Sequence, residues 1–171
     1  MRVLAVAAVL LGMNSGLAGA QDLTVDVIGN DGSTIGSIAA TQGPHGVVLR
    51  AEFQEGALAP GWHGIHVHAV GDCSDHAEFQ HSGGHVNPGG TEHGFLNPAG
   101  PHPSDLPNIF AHADGSSHAE ILVVGVSLSG GEVELLDADG SAVVVHANPD
   151  DHLTQPIGGA GPRVGCAVLV Q

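Results

Sequence analysis

The chain has 171 residues, 42% of them hydrophobic, with 18 acidic and three basic side chains and a formal net charge of −15. Lysine is absent, and no basic patch or stripe exists to meet nucleic acid or an anionic lipid surface, so both are excluded as partners. The length suits one domain with a core of its own.

The first twenty residues, MRVLAVAAVLLGMNSGLAGA, combine a basic start at Arg2, an apolar run from Val3 to Met13 and a small-residue ending, Ala18-Gly19-Ala20. That is the pattern of a secretory signal peptide cleaved after Ala20. The apolar run is shorter than the ~20 residues a bilayer span needs, so no membrane insertion is expected after cleavage. The mature domain, residues 21–171, keeps Arg50 and Arg163 against all 18 acidic residues, a net charge of −16. A periplasmic or otherwise exported protein is expected.

Short runs rich in Val, Ile, Leu and Ala follow, separated by Gly, Pro, Asn and Asp. LTVDVIG (23–29), STIGSIAA (33–40), GVVLRAEF (46–53), GIHVHAV (64–70), AEILVVGVSL (119–128), EVELL (132–136), SAVVVHA (141–147) and VGCAVLV (164–170) each read as a strand. GNDGS (29–33) and DADGS (137–141) supply hairpin-turn chemistry between neighbours. No stretch carries a helical period, so eight strands predict an all-β sandwich or barrel. The segment from Gly71 to about Ser117 carries almost no strand signal. Structureless loops longer than ~15 residues are uncommon unless functional, so this one needs an internal staple. Cys73 and Cys166 offer one: an even number of cysteines in an oxidising compartment reads as a disulfide. It would close more than half of the mature chain into a loop, worth roughly 4–5 kcal/mol by chain entropy.

The stretch HGIHVHAVGDC (63–73) places three histidines within six positions. On a strand, side chains alternate faces. His66 and His68 then point the same way, their Cβ atoms about 7 Å apart by strand rise, a distance from which two imidazoles can converge on one metal ion. His63 has the opposite parity and faces away. The long loop adds GGHVNPGGTEHGFLNPAGPHPSDLPNI (83–109), with His85, His93, His102 and Asp105 at spacings of eight, nine and three; AVVVHANPDD (142–151) puts His146 at a strand end. Six histidines and a carboxylate exceed what one ion needs. Imidazole suits copper, zinc, iron or nickel, and three histidines with an aspartate make a good tetrahedral zinc set. A strand-borne group (His66, His68, His146) and a loop-borne group (His93, His102, Asp105) emerge, and His85 can belong to either or to both.

HGIHVHAVGDC, GGHVNP, SDLPN, VVHANPDD and GGAGPRVGC, in this order and at these spacings, resemble the signature blocks of the copper–zinc superoxide dismutases of the exported bacterial type. The resemblance spans essentially the whole mature chain and implies an eight-stranded Greek-key β-barrel. It implies one copper per subunit on His66, His68, His85 and His146, and one zinc on His85, His93, His102 and Asp105, with His85 shared. It implies superoxide as substrate. The cycle it implies would have copper take an electron from one superoxide, releasing O2, and return it with two protons to a second, giving H2O2. By the same likeness His85 would release copper and take up a proton in the reduced state. Zinc, without redox chemistry, fixes the loop and tunes the bridge. By the same likeness Arg163 guides the anion beside copper, Asp150 links ligands of the two metals, Cys73 pairs with Cys166, and His63 is a buried hydrogen-bonding residue. His45, His76, His81, His112, His118 and His152 match no ligand position and read as solvent-facing. The family includes homodimers and monomers, and a homodimer is one expected assembly.

Two other readings are weaker. A metal buffer without turnover suits the histidine content but has no use for Asp150 or Arg163. A zinc hydrolase needs an open zinc position and a general base, whereas the inferred zinc set is closed by four side chains. The chain departs from many relatives in ANPDDHLTQPIGGAGP, between His146 and Arg163, which has no lysine. Arg163 and the metals must then attract superoxide against a net charge of −16. Weak steering follows: kcat/KM is expected to fall only modestly between low and physiological ionic strength, whereas well-steered association falls steeply. A steep fall would contradict this.

Overall fold

The computed structural model describes residues 22–171; the leader read at 1–20 lies outside the described residues. Strands β1 (Asp22–Gly29), β2 (Thr34–Gly43) and β3 (Gly46–Phe53) form an antiparallel meander. Its alternation decides which face turns inward: Val27, Ile38, Ala40, Leu49, Ala51 and Phe53 are buried, while Asp26, Arg50 and Glu52 are exposed. The turn between β1 and β2 closes as GNDGS suggests, with the Gly29 amide donating to the Ser33 carbonyl at 2.9 Å and Gly32 at φ +79°.

The remaining strands are β4 (Gly61–His63), β5 (Ile65–His68), β6 (Ile109–Ala111), β7 (Ser117–Val124), β8 (Ser141–His146) and β9 (Arg163–Leu169). A curled antiparallel sheet runs β5-β8-β9-β1-β2-β3-β7, and β4 pairs with β6 in a second, two-stranded sheet. β4 and β5 are one strand interrupted at Gly64, and β6 lies against β7, so eight strand positions go round the barrel. The connections from β3 to β4 and from β7 to β8 cross over to non-adjacent strands, the Greek-key feature.

Two expected elements differ. EVELL (132–136) is not a strand. Its amides turn back on the preceding segment, Leu135 donating to the Ser127 carbonyl at 2.8 Å and Leu136 to that of Leu128 at 3.0 Å. The fully buried Leu128 and Leu135 join the core from this connection. The missing barrel position is filled by IFA (109–111), inside what reads as a continuous loop; three residues bounded by asparagine and histidine are too few to show a period.

β5 and β8 are buried on both faces. One face, with Ile65, Val67, Val143 and Val145, belongs to the core. The other is covered by the segment 71–108 and carries His66, His68 and His146. Behind them a smaller cluster packs Phe79, Ala142 and Val144 around Cys73 and Cys166. Those cysteines form the disulfide across a sequence separation of 93, with Cα atoms 5.9 Å apart. It ties the long loop to β9. Replacing Cys73 and Cys166 together by Ala is expected to lower the unfolding free energy of the metal-free protein by about 2–5 kcal/mol. Equal urea midpoints for the two proteins would show that the loop is held by other contacts.

Candidate metal centre

β5 lies at the edge of the large sheet, and such an edge offers unpaired backbone groups. The long loop satisfies them. The Val67 amide donates to the Ser104 carbonyl at 3.1 Å, the Val86 amide to Val67 at 3.0 Å and the Ala69 amide to Gly84 at 2.8 Å. These bonds set His85 opposite His68 and Asp105 opposite His66 as isolated antiparallel bridges. Residues from two distant parts of the loop thus arrive beside the two strand histidines. His146 comes from β8, the other neighbour of β5, its ring centroid 4.9 Å from that of His66 and 5.8 Å from that of His68.

Each strand-borne histidine has one ring nitrogen fixed by an acceptor: His66 Nε2 on Asp150 Oδ2 at 2.8 Å, His68 Nδ1 on the Gly83 carbonyl at 2.9 Å, and His146 Nδ1 on the Gly161 carbonyl at 3.0 Å. A neutral imidazole carries its proton where the acceptor is. The opposite nitrogens, His66 Nδ1, His68 Nε2 and His146 Nε2, are buried and have no hydrogen-bond partner, and the same holds for His85 Nε2. Buried polar atoms are ordinarily satisfied. Four unsatisfied lone pairs from clustered rings suit an imidazole-binding metal such as copper.

On its other side, His85 presents Nδ1 to His102 Nδ1 at 3.0 Å and to Asp105 Oδ1 at 3.1 Å. Asp105 Oδ1 is also 2.8 Å from His93 Nδ1 and 3.4 Å from His102 Nδ1. A tetrahedron with ~2.0–2.1 Å bonds has edges of about 3.3 Å, so these four side chains fit a zinc ion. His85, His93, His102 and Asp105 form one potential ligand group, and His66, His68 and His85 another, each with its donor atoms within 4.8 Å of one another. His85 is common to both.

Asp150 joins the two groups, accepting from His66 with Oδ2 and approaching His93 Nε2 with Oδ1 at 3.0 Å. The backbone makes room for it at Gly158, where φ is +62° and any Cβ would collide with Asp150 Oδ1. Asn108 holds Asp150 in place, donating to its carbonyl and accepting from its amide, both at 2.8 Å. Gln155 does the same for His93, through its carbonyl at 2.8 Å and its amide at 2.9 Å. Neither Asn108 nor Gln155 is evident from sequence, since an amide in a loop carries no spacing signal.

Electrostatics keeps the strand histidines neutral. Burial pushes His66 down to about 4, against the opposing pull of Asp150; burial and then His85 push His68 down to about 2, and burial and then His66 push His146 down to about 3. Burial opposes the charge on Asp105, but hydrogen bonds from His85 and from the Gly94 and His102 amides outweigh it and hold the carboxyl below its ordinary value. Asp150 is likewise held low against burial, chiefly by His66 and the His152 amide.

His63, of opposite parity, stays out of the cluster; its ring nitrogens meet the His146 carbonyl at 2.8 Å and the Ala59 carbonyl at 2.7 Å. His45, His76, His81, His112 and His118 are exposed, as expected. His152 is not solvent-facing: it is half-buried, stacks on Phe95 with centroids 5.0 Å apart and meets Asn108 at 3.3 Å. Arg163 opens β9 opposite His146 and reaches the loop at Phe79, Ser82 and Gly83.

Comparison with known proteins gives one answer. The family model for copper/zinc superoxide dismutase matches residues 34–169. The Cu-Zn superoxide dismutase of Caulobacter vibrioides is 52% identical over 149 residues, covering 85% of this chain and 84% of that protein. Superoxide dismutase [Cu-Zn] 2 of Aquifex aeolicus is 35% identical over 153 residues, 87% of this chain and 88% of its own length. Among solved structures, a SOD-like protein from Bacillus subtilis superimposes with a TM-score of 0.81 at 35% identity, covering 85% of this chain and 97% of that one. The Cu/Zn superoxide dismutase from Brucella abortus gives 0.68 at 25% identity, covering 87% and 99%. With its two donor groups meeting at one histidine on a curled antiparallel sheet, this chain belongs to the copper/zinc superoxide dismutase family.

Proposed function

We propose that this chain dismutes superoxide to O2 and H2O2, with one copper on His66, His68, His85 and His146 and one zinc on His85, His93, His102 and Asp105. The observation that carries the reading is the division of His85 between two donor groups, Nδ1 toward one and unpartnered Nε2 toward the other. When bound, copper supplies the one-electron redox couple for two superoxide ions and two protons, and zinc supplies fixed positive charge. As the shared ligand, His85 would give one nitrogen to each group, which would require loss of both ring protons between two cations.

The other residues have supporting roles. Asp150 fixes the ring orientation of His66 and His93 and raises their basicity toward a metal. Arg163 attracts the anionic substrate. Its hydrogen-bond partners are two carbonyls and a hydroxyl, all neutral, and Asp75 acts on it only through space, so no salt bridge among the described residues takes up its charge. Arg50 by contrast is paired with Glu120 at 2.6 Å. Export before folding, with cleavage after Ala20, agrees with the disulfide, which persists in an oxidising compartment. Activity there would protect against extracytoplasmic superoxide.

The test is an activity measurement on one preparation in three states. Protein loaded with copper and zinc is expected to remove superoxide catalytically; metal-free and zinc-only protein are not. Loaded protein that binds both metals and shows no turnover would leave a metal buffer instead.

The histidine shifts also set acid stability. In the folded metal-free protein His66 and His146 protonate near pH 4 and 3, against 6.5 for the free side chain. As the pH falls below 6.5 the unfolded chain takes up these protons first, so folding weakens toward pH 4, by up to about 1.4 kcal/mol per pH unit per group. The lowered carboxyls of Asp105 and Asp150 act with the same sign below their ordinary value of 3.8. The urea midpoint of metal-free protein is therefore expected to drop between pH 7 and pH 5, and to drop at least as steeply with zinc bound, because ligated imidazoles take up no protons in the folded state. A midpoint independent of pH in that range would contradict the burial of neutral imidazoles.

A further inference from the structure

Phe79 adopts a left-handed backbone, φ +53° and ψ +29°, a conformation that a bulky side chain rarely takes. It is held there because its ring is fully buried in the cluster around the disulfide. Strain of this kind persists where the surroundings over-determine it, and it concentrates at functional sites. Its consequence here is the direction of a carbonyl: Phe79 O accepts from Arg163 Nη1 at 2.6 Å. A short 3-10 turn, Gln80–Ser82, follows. The Ser82 side chain is fully buried; its hydroxyl donates to Phe79 O at 2.8 Å and accepts from Arg163 Nη1 at 3.0 Å. Gly83 O accepts from Arg163 Nη2 at 2.8 Å and also from His68 Nδ1 at 2.9 Å. Asn30, in the turn between β1 and β2, anchors the same region by donating to the carbonyls of His76, Ala77 and Arg163 at 2.8, 3.3 and 3.1 Å.

We propose that Ser82 is a positioning residue for Arg163: its buried hydroxyl, with the carbonyls of Phe79 and Gly83, locks the guanidinium in one orientation relative to His68. A guanidinium has five N–H bonds in a rigid fork. The turn occupies both on Nη1 and one on Nη2. One on Nε and one on Nη2 are left, which is the pair a planar fork offers to an anion. Ser82 matters because a carbonyl pair alone leaves the second Nη1 hydrogen without an acceptor, and a desolvated donor would turn the group to find one. The inference rests on the reading of Arg163 as the arginine that faces the anion.

The test uses the copper- and zinc-loaded protein and azide, a small anion whose binding is read from the Cu(II) visible spectrum. S82A is expected to bind azide about three- to tenfold more weakly than the parent chain and to lose superoxide turnover in similar proportion. Its metal content and azide-free spectrum are expected to stay the same. In an R163Q background, adding S82A is expected to cause no further loss. Unchanged azide affinity in S82A overturns the inference, and so does an equal loss with and without Arg163. R163Q binding azide like the parent overturns the reading of Arg163 itself, and that outcome is recognisable without S82A. Should S82A not fold, guanidinium NMR of the zinc-loaded parent decides, since the chain has only three arginines. Separate, slowly exchanging Nη signals from Arg163 are expected, and one averaged Nη signal overturns the inference.

Discussion

Covering one strand edge does more for this molecule than any other interaction. β5 ends the large sheet, and the segment from Gly71 to Asn108 has no strand, one short 3-10 turn and only a small cluster at Cys73 and Phe79 packed on the strands. Each supplies what the other lacks: the strand offers free backbone groups, and the loop spends its amides and carbonyls on them. The bonds at Val67, Ala69 and Val86 place His85 and Asp105 beside His68 and His66. A slip of one residue would turn every side chain on the loop's contacting stretch to the other face, so backbone pairing and disulfide together specify where the donor atoms meet.

The second layer of organisation is the distribution of protons. Burial makes a charged imidazole costly, and the fixed acceptors decide which nitrogen carries the proton. The result is a set of neutral rings with lone pairs pointing inward before any ion arrives. That is preorganisation: little has to turn on binding, and the competing proton is disfavoured by the same burial. Asp150, Asn108 and Gln155 extend it outward, since each orients a residue that itself orients a donor.

Much of this was legible in the residues. The period of two in HGIHVHAV separates His66 and His68 from His63, and the structure keeps that division. Charge composition left Arg163 conspicuous, and the spacing of His85, His93, His102 and Asp105 marked one donor group. The strand count came out at eight with one member exchanged: Val133 and Leu135 alternate with glutamates because they pack against the core, whereas Ile109–Ala111 is too short to show a pattern. His152 read as a surface residue because nothing in NPDDHL reveals that Phe95, nearly sixty positions earlier, covers it. Ser82, Asn108 and Gln155 act through contacts between distant segments, and no local signal carries such contacts.

Asp150 has a further consequence. One carboxylate grips a ring from each donor group, so a displacement of either ring is transmitted to the other through a side chain that has no freedom to yield. If each group holds an ion, occupancy of the loop-borne group would bias affinity at the strand-borne group, and thermodynamic reciprocity would require the same factor in reverse. A single carboxylate would thereby couple the two donor groups into one receptor.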